Sequence, residues 1–312
     1  MRVSIIIPIF KVEKYIKRCL ESVVSQDYSD IECILVNDCS PDDSFSIAKD
    51  FVDNYTGHIS FSLVSHNINK GLSEARNTGI NRSKGDYIYF LDSDDAIPYD
   101  AISTLVKTAV DYNLPEIVYG RTIGVQLDGS HSEVDSPNLK SFIGNENILL
   151  GNLNNEWTRI ACNKLIRKDL FFTHKTYFEP GLLNEDELWS FEVSAYINSL
   201  IFCDKVTYLY YVGDSNSITR SKPSAKSFKD NITILERKKD YLHKVQASSA
   251  LAQNIYRLVF STYYSMFRAR MEKDFMKVSK KRLRNILNIL KQIDGYNVSH
   301  IPFYMKIVFC FF

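Results

Sequence analysis

Asp86-Tyr87-Ile88-Tyr89-Phe90-Leu91-Asp92-Ser93-Asp94-Asp95 is the stretch on which the reading of this chain turns. Residues 87–91 have the β-forming apolar composition of a strand buried on both faces. Three carboxylates follow within four positions. They repel one another and gain nothing from burial unless a cation or a ligand compensates them. In an extended chain Asp92 and Asp94 share a face and can converge on one divalent ion. Asp also suits turns for local reasons, so the segment alone leaves a turn and a metal site equally open.

Upstream lie two more predominantly apolar, β-forming runs, residues 3–9 and 31–36, and a shorter one at 61–64. Between them, Ile16, Cys19, Leu20, Val23 and Val24 fall at helical spacing within 13–26, opposite Lys14, Lys17, Arg18 and Glu21. The second run ends in Asn37-Asp38-Cys39-Ser40-Pro41-Asp42-Asp43-Ser44, which offers both ligand-type side chains and N-cap residues for a helix over 44–55. A third helix is predicted over 72–81. This alternation predicts an α/β fold, a mostly parallel sheet flanked by helices, with ligands bound beyond the carboxyl ends of the strands. Asn37-Asp38 and Asp92 to Asp95 both occupy that edge and should be neighbours.

Downstream, the pattern predicts a helix over 98–112, a short strand at 116–119, a solvated hairpin or loop over 126–138 and a strand at 206–212. Gly181 to Trp189 leads into a helix through Tyr196. From Ala225 onward the periodicity is helical. A division into an α/β region, 1–220, and a basic helical region, 221–312, is expected.

The 312 residues are 45% hydrophobic, enough for a sizeable core, and the net charge of +1 gives no overall attraction to nucleic acid. The charge is unevenly placed: residues 1–224 hold 21 Lys and Arg against 31 Asp and Glu, and residues 225–312 hold 17 against 6. The two parts should face different partners. Six scattered cysteines, with no Cys-x-x-Cys spacing, suit reduced thiols of the cytosol and suggest neither a zinc site nor a disulfide framework. The apolar N-terminal run is too short for a signal peptide, and no 18-residue apolar run suggests a membrane span. Gly-x-Gly-x-x-Gly and Gly-x-x-x-x-Gly-Lys-Ser/Thr are both absent, which disfavours dinucleotide and P-loop enzymes. Carboxylates at the ligand edge repel a phosphate unless a divalent cation mediates, the usual arrangement being one or two carboxylates plus substrate phosphates around Mg²⁺ or Mn²⁺.

Four blocks in order, Ser4-Ile5-Ile6-Ile7-Pro8-Ile9-Phe10, Val36-Asn37-Asp38-Cys39-Ser40-Pro41-Asp42, Asn69-Lys70-Gly71-Leu72-Ser73-Glu74-Ala75-Arg76-Asn77-Thr78-Gly79 and Gly85 to Asp95, together resemble the family 2 glycosyltransferases. The later Asn163-Lys164-Leu165 and Glu185-Asp186 are similar to further elements of that family. The resemblance implies a GT-A (Rossmann-like) fold and an inverting transfer from a nucleoside-diphosphate sugar, a uridine diphosphate sugar being favoured. Carried over residue by residue, it implies that Asp38 bonds the base, that Pro8 and Phe10 line the nucleotide pocket, and that Arg76 reaches the base or the phosphates. Asp92 and Ser93 would contact the sugar donor, and Asp94 would ligate Mn²⁺ or Mg²⁺. Asp186 would be the general base, with Glu185, Asp95 and Lys164 supporting. The family's usual Asp-Asp-Gly-Ser stands here as Asn37-Asp38-Cys39-Ser40, which puts the turn geometry in question.

The expected acceptor is a hydroxyl of a glycan or lipid-linked glycan in surface polysaccharide synthesis. Two alternatives are a non-catalytic nucleotide-sugar-binding or scaffold protein and a sugar nucleotidyltransferase. The latter needs a Gly-rich basic loop after the first strand, which Phe10-Lys11-Val12-Glu13 is not. Trp157, Trp189, Tyr210 and Tyr211 are either acceptor-stacking rings or core. None of the six histidines pairs at metal spacing, and none is given a role. Lys273, Lys277, Lys280, Lys281, Arg282 and Arg284 alternate with apolar residues on a basic amphipathic helix, and 301–312 is strongly apolar. The helix either packs on the catalytic region or docks on an anionic cytoplasmic leaflet, which would make the protein cytoplasmic and peripheral on the inner face of the membrane.

Overall fold

β1 (Val3–Ile9) is buried along its whole length, and both of its edges pair in parallel, one with β2 (Ile31–Asn37) and the other with β4 (Tyr87–Phe90). The structure is a computed structural model that describes residues 1–135, 139–212, 224–245 and 248–292. β3 (Ser60–Ser65) adds to the outer edge of β2, and α1 (Ile16–Val24), α2 (Ser44–Asp53) and α3 (Leu72–Arg82) make the connections. The chain therefore winds outward from β1 to β3 and then returns to the other side of β1. Such a reversal opens a crevice at the carboxyl ends of the central strands. α1 buries Ile16, Cys19, Leu20 and Val23, the predicted stripe. It starts later than the spacing predicts because the N–H groups of Val12 and Glu13 donate to Ser44 Oγ and Asp42 Oδ2, which keeps them in the preceding loop.

Beyond β4 the sheet becomes mixed. After α4 (Ala101–Asp111), the chain forms β5 (Ile117–Val125), a hairpin to β6 (His131–Glu133), then β7 (Phe142–Ile143), α5 (Asn145–Leu153) and β8 (Lys164–Arg167). α6 (Asp169–Thr173) and α7 (Glu185–Ser194) precede β9 (Ser199–Tyr211). Among the described residues the strand order is β3-β2-β1-β4-β8-β5-β9-β7, with β6 beside β5. β8 runs antiparallel to both β4 and β5, whereas β9 is parallel to β5. β5 extends well past the predicted 116–119 because its register shifts at Gly120, where a side chain would collide with Thr207 Oγ1 of β9. Gly120-Arg121-Thr122 breaks the apolar pattern in the sequence without ending the strand.

α8 (Ala225–Lys244), α9 (Ser249–Arg268) and α10 (Lys273–Leu290) bury a second cluster of apolar side chains together with Leu149 and Leu153 of α5 and Phe191 of α7. α8 opens on a reciprocal cap in which the Ser227 N–H donates to Ser224 Oγ and the Ser224 N–H to Ser227 Oγ. α10 turns Leu283, Ile286, Leu287 and Leu290 inward, and its Arg282 grips Glu236 of α8 with two bonds of 2.9 and 2.7 Å. The expected 220/221 boundary, the loop residues 213–220 and the apolar segment 301–312 lie outside the described residues. The five described cysteines are free, and no described helix is long and apolar enough to cross a membrane.

Candidate active site

The pairing of β1 with both β2 and β4 sets the Asn37-Asp38 tail and the Asp92 to Asp95 tail at one edge of the sheet, with only the end of β1 between them. Phe10, just past β1, is 39% exposed there, while Pro8 is buried within the strand. Asp38 is itself buried, and its carboxylate organises the loop that starts α3. Its Oδ1 accepts from the Lys70 N–H at 2.8 Å and its Oδ2 from the Gly71 N–H at 2.7 Å, the latter turned inward by a φ of +88°. His66 Nδ1 lies 2.7 Å from Asp38 Oδ1, and His66 Nε2 lies 2.9 Å from Thr78 Oγ1. A carboxylate offers roughly four acceptor positions, so one on Oδ2 remains for a ligand. Cys39 holds a left-handed φ of +53°, and the Ser40 N–H closes the turn on Asn37 Oδ1 at 3.0 Å. The Cys thus adopts the backbone that a turn glycine would reach without strain.

Arg76 joins the two acidic motifs. It is 1% exposed on α3, and its Nη2 donates to Asp92 Oδ1 at 3.1 Å while Nη1 donates to Glu185 Oε1 at 3.0 Å and Asp186 Oδ1 at 2.8 Å. The Phe90 and Phe178 rings flank the guanidinium, and Nε is buried with no partner. Burial opposes its charge, yet Asp186, Asp92 and Glu185 prevail and hold its pKa well above the usual value. The resemblance gives Arg76 to the base or the phosphates; in the structure both of its terminal nitrogens bond carboxylates.

One cation for three acids leaves the cluster short of positive charge. Burial, assisted by its neighbour Asp186, pushes the Glu185 carboxyl above its usual range despite Arg76. Burial does the same to Asp186, opposed by Arg76 and reinforced by Asp92. The second oxygen of Asp186 accepts from the Ala161 N–H at 3.2 Å. Lys164 of β8 is wholly buried nearby, its ammonium donating to the Ile160 carbonyl, and burial pulls its pKa down to about 8.

At the other end of the Asp-Ser-Asp-Asp run, Asp94 and Asp95 stand in different surroundings. Asp95 is buried and occupied: Oδ2 accepts from Tyr208 Oη at 2.7 Å and Oδ1 from the Tyr211 N–H at 2.8 Å. Tyr208 Oη also accepts the Asp92 N–H at 3.3 Å, so one phenol braces both ends of the turn. Ser93 is buried beneath it. Asp94 is exposed and no described side chain bonds to its carboxylate. Its carboxyl is pushed up by desolvation and by Asp92, with Arg18 as the opposing cation. Arg18 also donates to the Asp94 carbonyl and stacks 3.4 Å above the centre of the Tyr211 ring. Among the described residues there is no ready group of three or more metal-ligating side chains. Asp94 can therefore hold a divalent ion only as one ligand among substrate oxygens and water, and its deficit of positive charge suits that role.

Two of the four aromatic residues left open between a sugar-stacking face and the core fall in the core. Trp157 and Trp189 are core residues, their indole N–H groups donating to the Ile148 and Thr176 carbonyls. Asn163 cross-links strands, donating to the Gly120 carbonyl and accepting from Thr207 Oγ1. The sequence reading passed over His66, Tyr208 and Arg18, since each acts through a partner 28 to 116 positions away. No local pattern marks such pairs.

The family model described as Glycosyl transferase family 2 matches residues 4–173. "Glycosyltransferase GlyA" of Streptococcus pneumoniae is 32% identical over 228 residues, which is 68% of this chain; the chain spans only 30% of that protein. A Campylobacter jejuni protein described as "GalNAc(5)-diNAcBac-PP-undecaprenol beta-1,3-glucosyltransferase" is 24% identical over 284 residues, covering 89% of this chain and 86% of its own. Among solved structures, residues 1–349 of TarS from S. aureus, in complex with UDP-GlcNAc, superpose with a TM-score of 0.75 at 20% identity, over 96% of this chain and 84% of that one. The likeness establishes the GT-A arrangement of a sheet flanked by helices.

Proposed function

The chain belongs to glycosyl transferase family 2, and from that premise we propose that it moves a sugar, with inversion, from a nucleoside-diphosphate sugar to a hydroxyl of a glycan or lipid-linked glycan. The observation that carries this reading is the Arg76 guanidinium, which binds Asp92 on one side and Glu185 and Asp186 on the other. It brings the end of β4, where a sugar donor would lie, against the acid pair that opens α7.

Asp186 takes the proton of the incoming hydroxyl. Burial has raised its pKa, which makes the carboxylate a stronger base than an exposed aspartate. The acceptor oxygen then bonds to the anomeric carbon as the bond to the diphosphate oxygen breaks, and attack opposite the leaving group inverts the centre. Glu185 shares Arg76 and keeps Asp186 short of charge compensation. The free acceptor position on Asp38 Oδ2 suits an N–H of the base, a uracil in the favoured case, with Phe10 exposed beside it. Mn²⁺ or Mg²⁺ on Asp94, with diphosphate oxygens and water completing its shell, would neutralise the leaving group. Asp92 and Ser93 border the transferred sugar.

The names of the relatives support the finer terms. The C. jejuni glucosyltransferase name supports a hexosyl group, a lipid-linked acceptor and a place in polysaccharide synthesis, and the UDP-GlcNAc complex of TarS supports a uridine nucleotide. The exposed Lys277, Lys281 and Arg284 of α10 support a peripheral seat on an anionic inner leaflet.

The test is a panel of nucleoside-diphosphate sugars with Mn²⁺ or Mg²⁺, following release of the nucleoside diphosphate. We expect turnover of one donor, its loss in Asp186→Asn with donor binding retained, and loss of the metal response in Asp94→Ala. Absence of both a melting shift and turnover with every donor would overturn the reading, and binding without turnover would favour a non-catalytic nucleotide-sugar-binding protein.

A further inference from the structure

Lys164 carries an amine with no solvent exposure, packed between the Tyr119 and Trp157 rings at 6.0 and 5.9 Å. Its ammonium donates to the Ile160 carbonyl. That carbonyl belongs to the same peptide group as the Ala161 N–H, which donates to Asp186 Oδ2 at 3.2 Å. In a trans peptide the C=O and N–H point in opposite directions. The ammonium thus pulls on the negative end of a dipole whose positive end meets the carboxylate, and each bond polarises the other in a dry environment.

We propose that Lys164 is a positioning residue for Asp186, holding and polarising the Ile160–Ala161 peptide so that its N–H fixes and stabilises the Asp186 carboxylate. The proposal rests on the reading of Asp186 as the general base. Arg76 occupies Oδ1, so the peptide is what orients the second oxygen and sets which lone pair faces the acceptor. The charged groups acting on Asp186 are Arg76 and Lys164 against Asp92 and Glu185; those acting on Lys164 are Asp186, the Cys162 thiol and Asp135. Replacing a surface lysine leaves such a relay untouched, whereas replacing this one removes its only cation.

The test follows the two groups by NMR, with ¹³Cγ-labelled aspartate and ¹³Cε-labelled lysine, and needs no sugar donor. Asp186→Asn assigns the Asp186 signal. Lys164→Met keeps the unbranched stem, and in it we expect the Asp186 titration to move to higher pH. In the reciprocal arm, Asp186→Asn should move the Lys164 titration below its starting value near 8. That arm keeps the proposal testable if Lys164→Met does not fold. Where a donor is turned over, the acid limb of the rate profile should move up in Lys164→Met together with the Asp186 titration. Two titrations that ignore each other would overturn the proposal, even if glycosyl transfer is found; coupled titrations in a protein that turns over no donor would sustain the relay and sink only the enzymatic reading.

Discussion

Arg76 Nη1 donates to Asp186 Oδ1 at 2.8 Å across 110 positions of sequence, and the same guanidinium reaches Asp92. This contact closes the site, because it ties α3, the end of β4 and the start of α7 to a single buried cation. It also explains why acids can be gathered so densely at a strand edge. Without the guanidinium, Asp92, Glu185 and Asp186 would face one another across a poorly solvated gap.

Arg76→Leu should therefore lower the unfolding free energy by about 3 kcal/mol, the lower part of the range for breaking a buried ion pair, since Asp92 and Asp186 keep some contact with water. Arg76→Lys keeps the charge but cannot fork to three carboxylates, so it should recover only part of the loss. Urea unfolding at neutral pH measures both. A loss well under 1 kcal/mol in Arg76→Leu would mean that the acids relax toward solvent on their own.

Much of this architecture was legible in the chain. Predominantly apolar runs predicted β1, β2 and β4, helical spacing predicted α1 and cap residues α2, because all these signals are local in sequence. Asp92 and Asp186 were legible through motif blocks. The joining of Asp92 to Glu185 and Asp186 through Arg76 was not, since it depends on how α7 docks against α3. What Asp95 bonds to was illegible for a similar reason: its partners Tyr208 and Tyr211 come from β9, a strand whose pairing with β5 is interrupted at Gly120. Trp157 and Trp189 could not be placed because an aromatic side chain looks the same in a core and on a sugar-binding face.

The acid pair also makes stability depend on pH. The folded-state pKa values of Glu185 and Asp186 lie above their ordinary values of 4.5 and 3.8, with burial as the leading cause. The folded protein then holds these protons more tightly than the unfolded chain does. Their contribution is fully present below the unfolded pKa values and is lost as pH rises through the folded ones. Relative to the unmutated protein, Glu185→Gln with Asp186→Asn should flatten the decline of unfolding free energy from about pH 4 upward, the region where ordinary carboxylates titrate. Denaturant titrations at stepped pH read the slope, and parallel curves for the two proteins would contradict this assignment.

Gly79 tests how closely α3 lies on β1. A Cβ there would collide with Ile6 Cγ2, so Gly79→Ala gains about 1 kcal/mol of helix propensity but meets an overpacking cost of about 1–3 kcal/mol. A net loss of up to about 2 kcal/mol is expected from those two figures. Ile6→Ala removes the obstructing group at its own cost in burial. The double variant should lose less than the two single losses combined, because the clash exists only when both side chains are present. Simple additivity in thermal or urea unfolding would show that the helix shifts freely to make room.

Glu187 sits one position after Asp186 and joins the helical region to the sheet region, since its Oε1 receives both Arg159 and the wholly buried Lys238 of α8. Burial lowers the Lys238 pKa, and Glu187 is the group that opposes this. The two partners are not equivalent. Glu187→Ala strands an ammonium in an apolar setting against the Phe191 ring, and should cost about 3–5 kcal/mol. Lys238→Met fills the same slot with an unbranched apolar chain and leaves Glu187 paired with Arg159, so it should cost no more than about 1 kcal/mol, in line with replacing a buried charge by a hydrophobic residue. Hydrogen exchange should show α8 to α10 opening ahead of the sheet in Glu187→Ala and not in Lys238→Met. Adding Lys238→Met to Glu187→Ala should restore much of the stability, because the uncompensated charge is gone. If Lys238→Met proves the more damaging of the two single changes, then the Lys238–Glu187 ion pair contributes net stability of its own, and its loss, rather than an uncompensated charge, is what unseats the helices from α7.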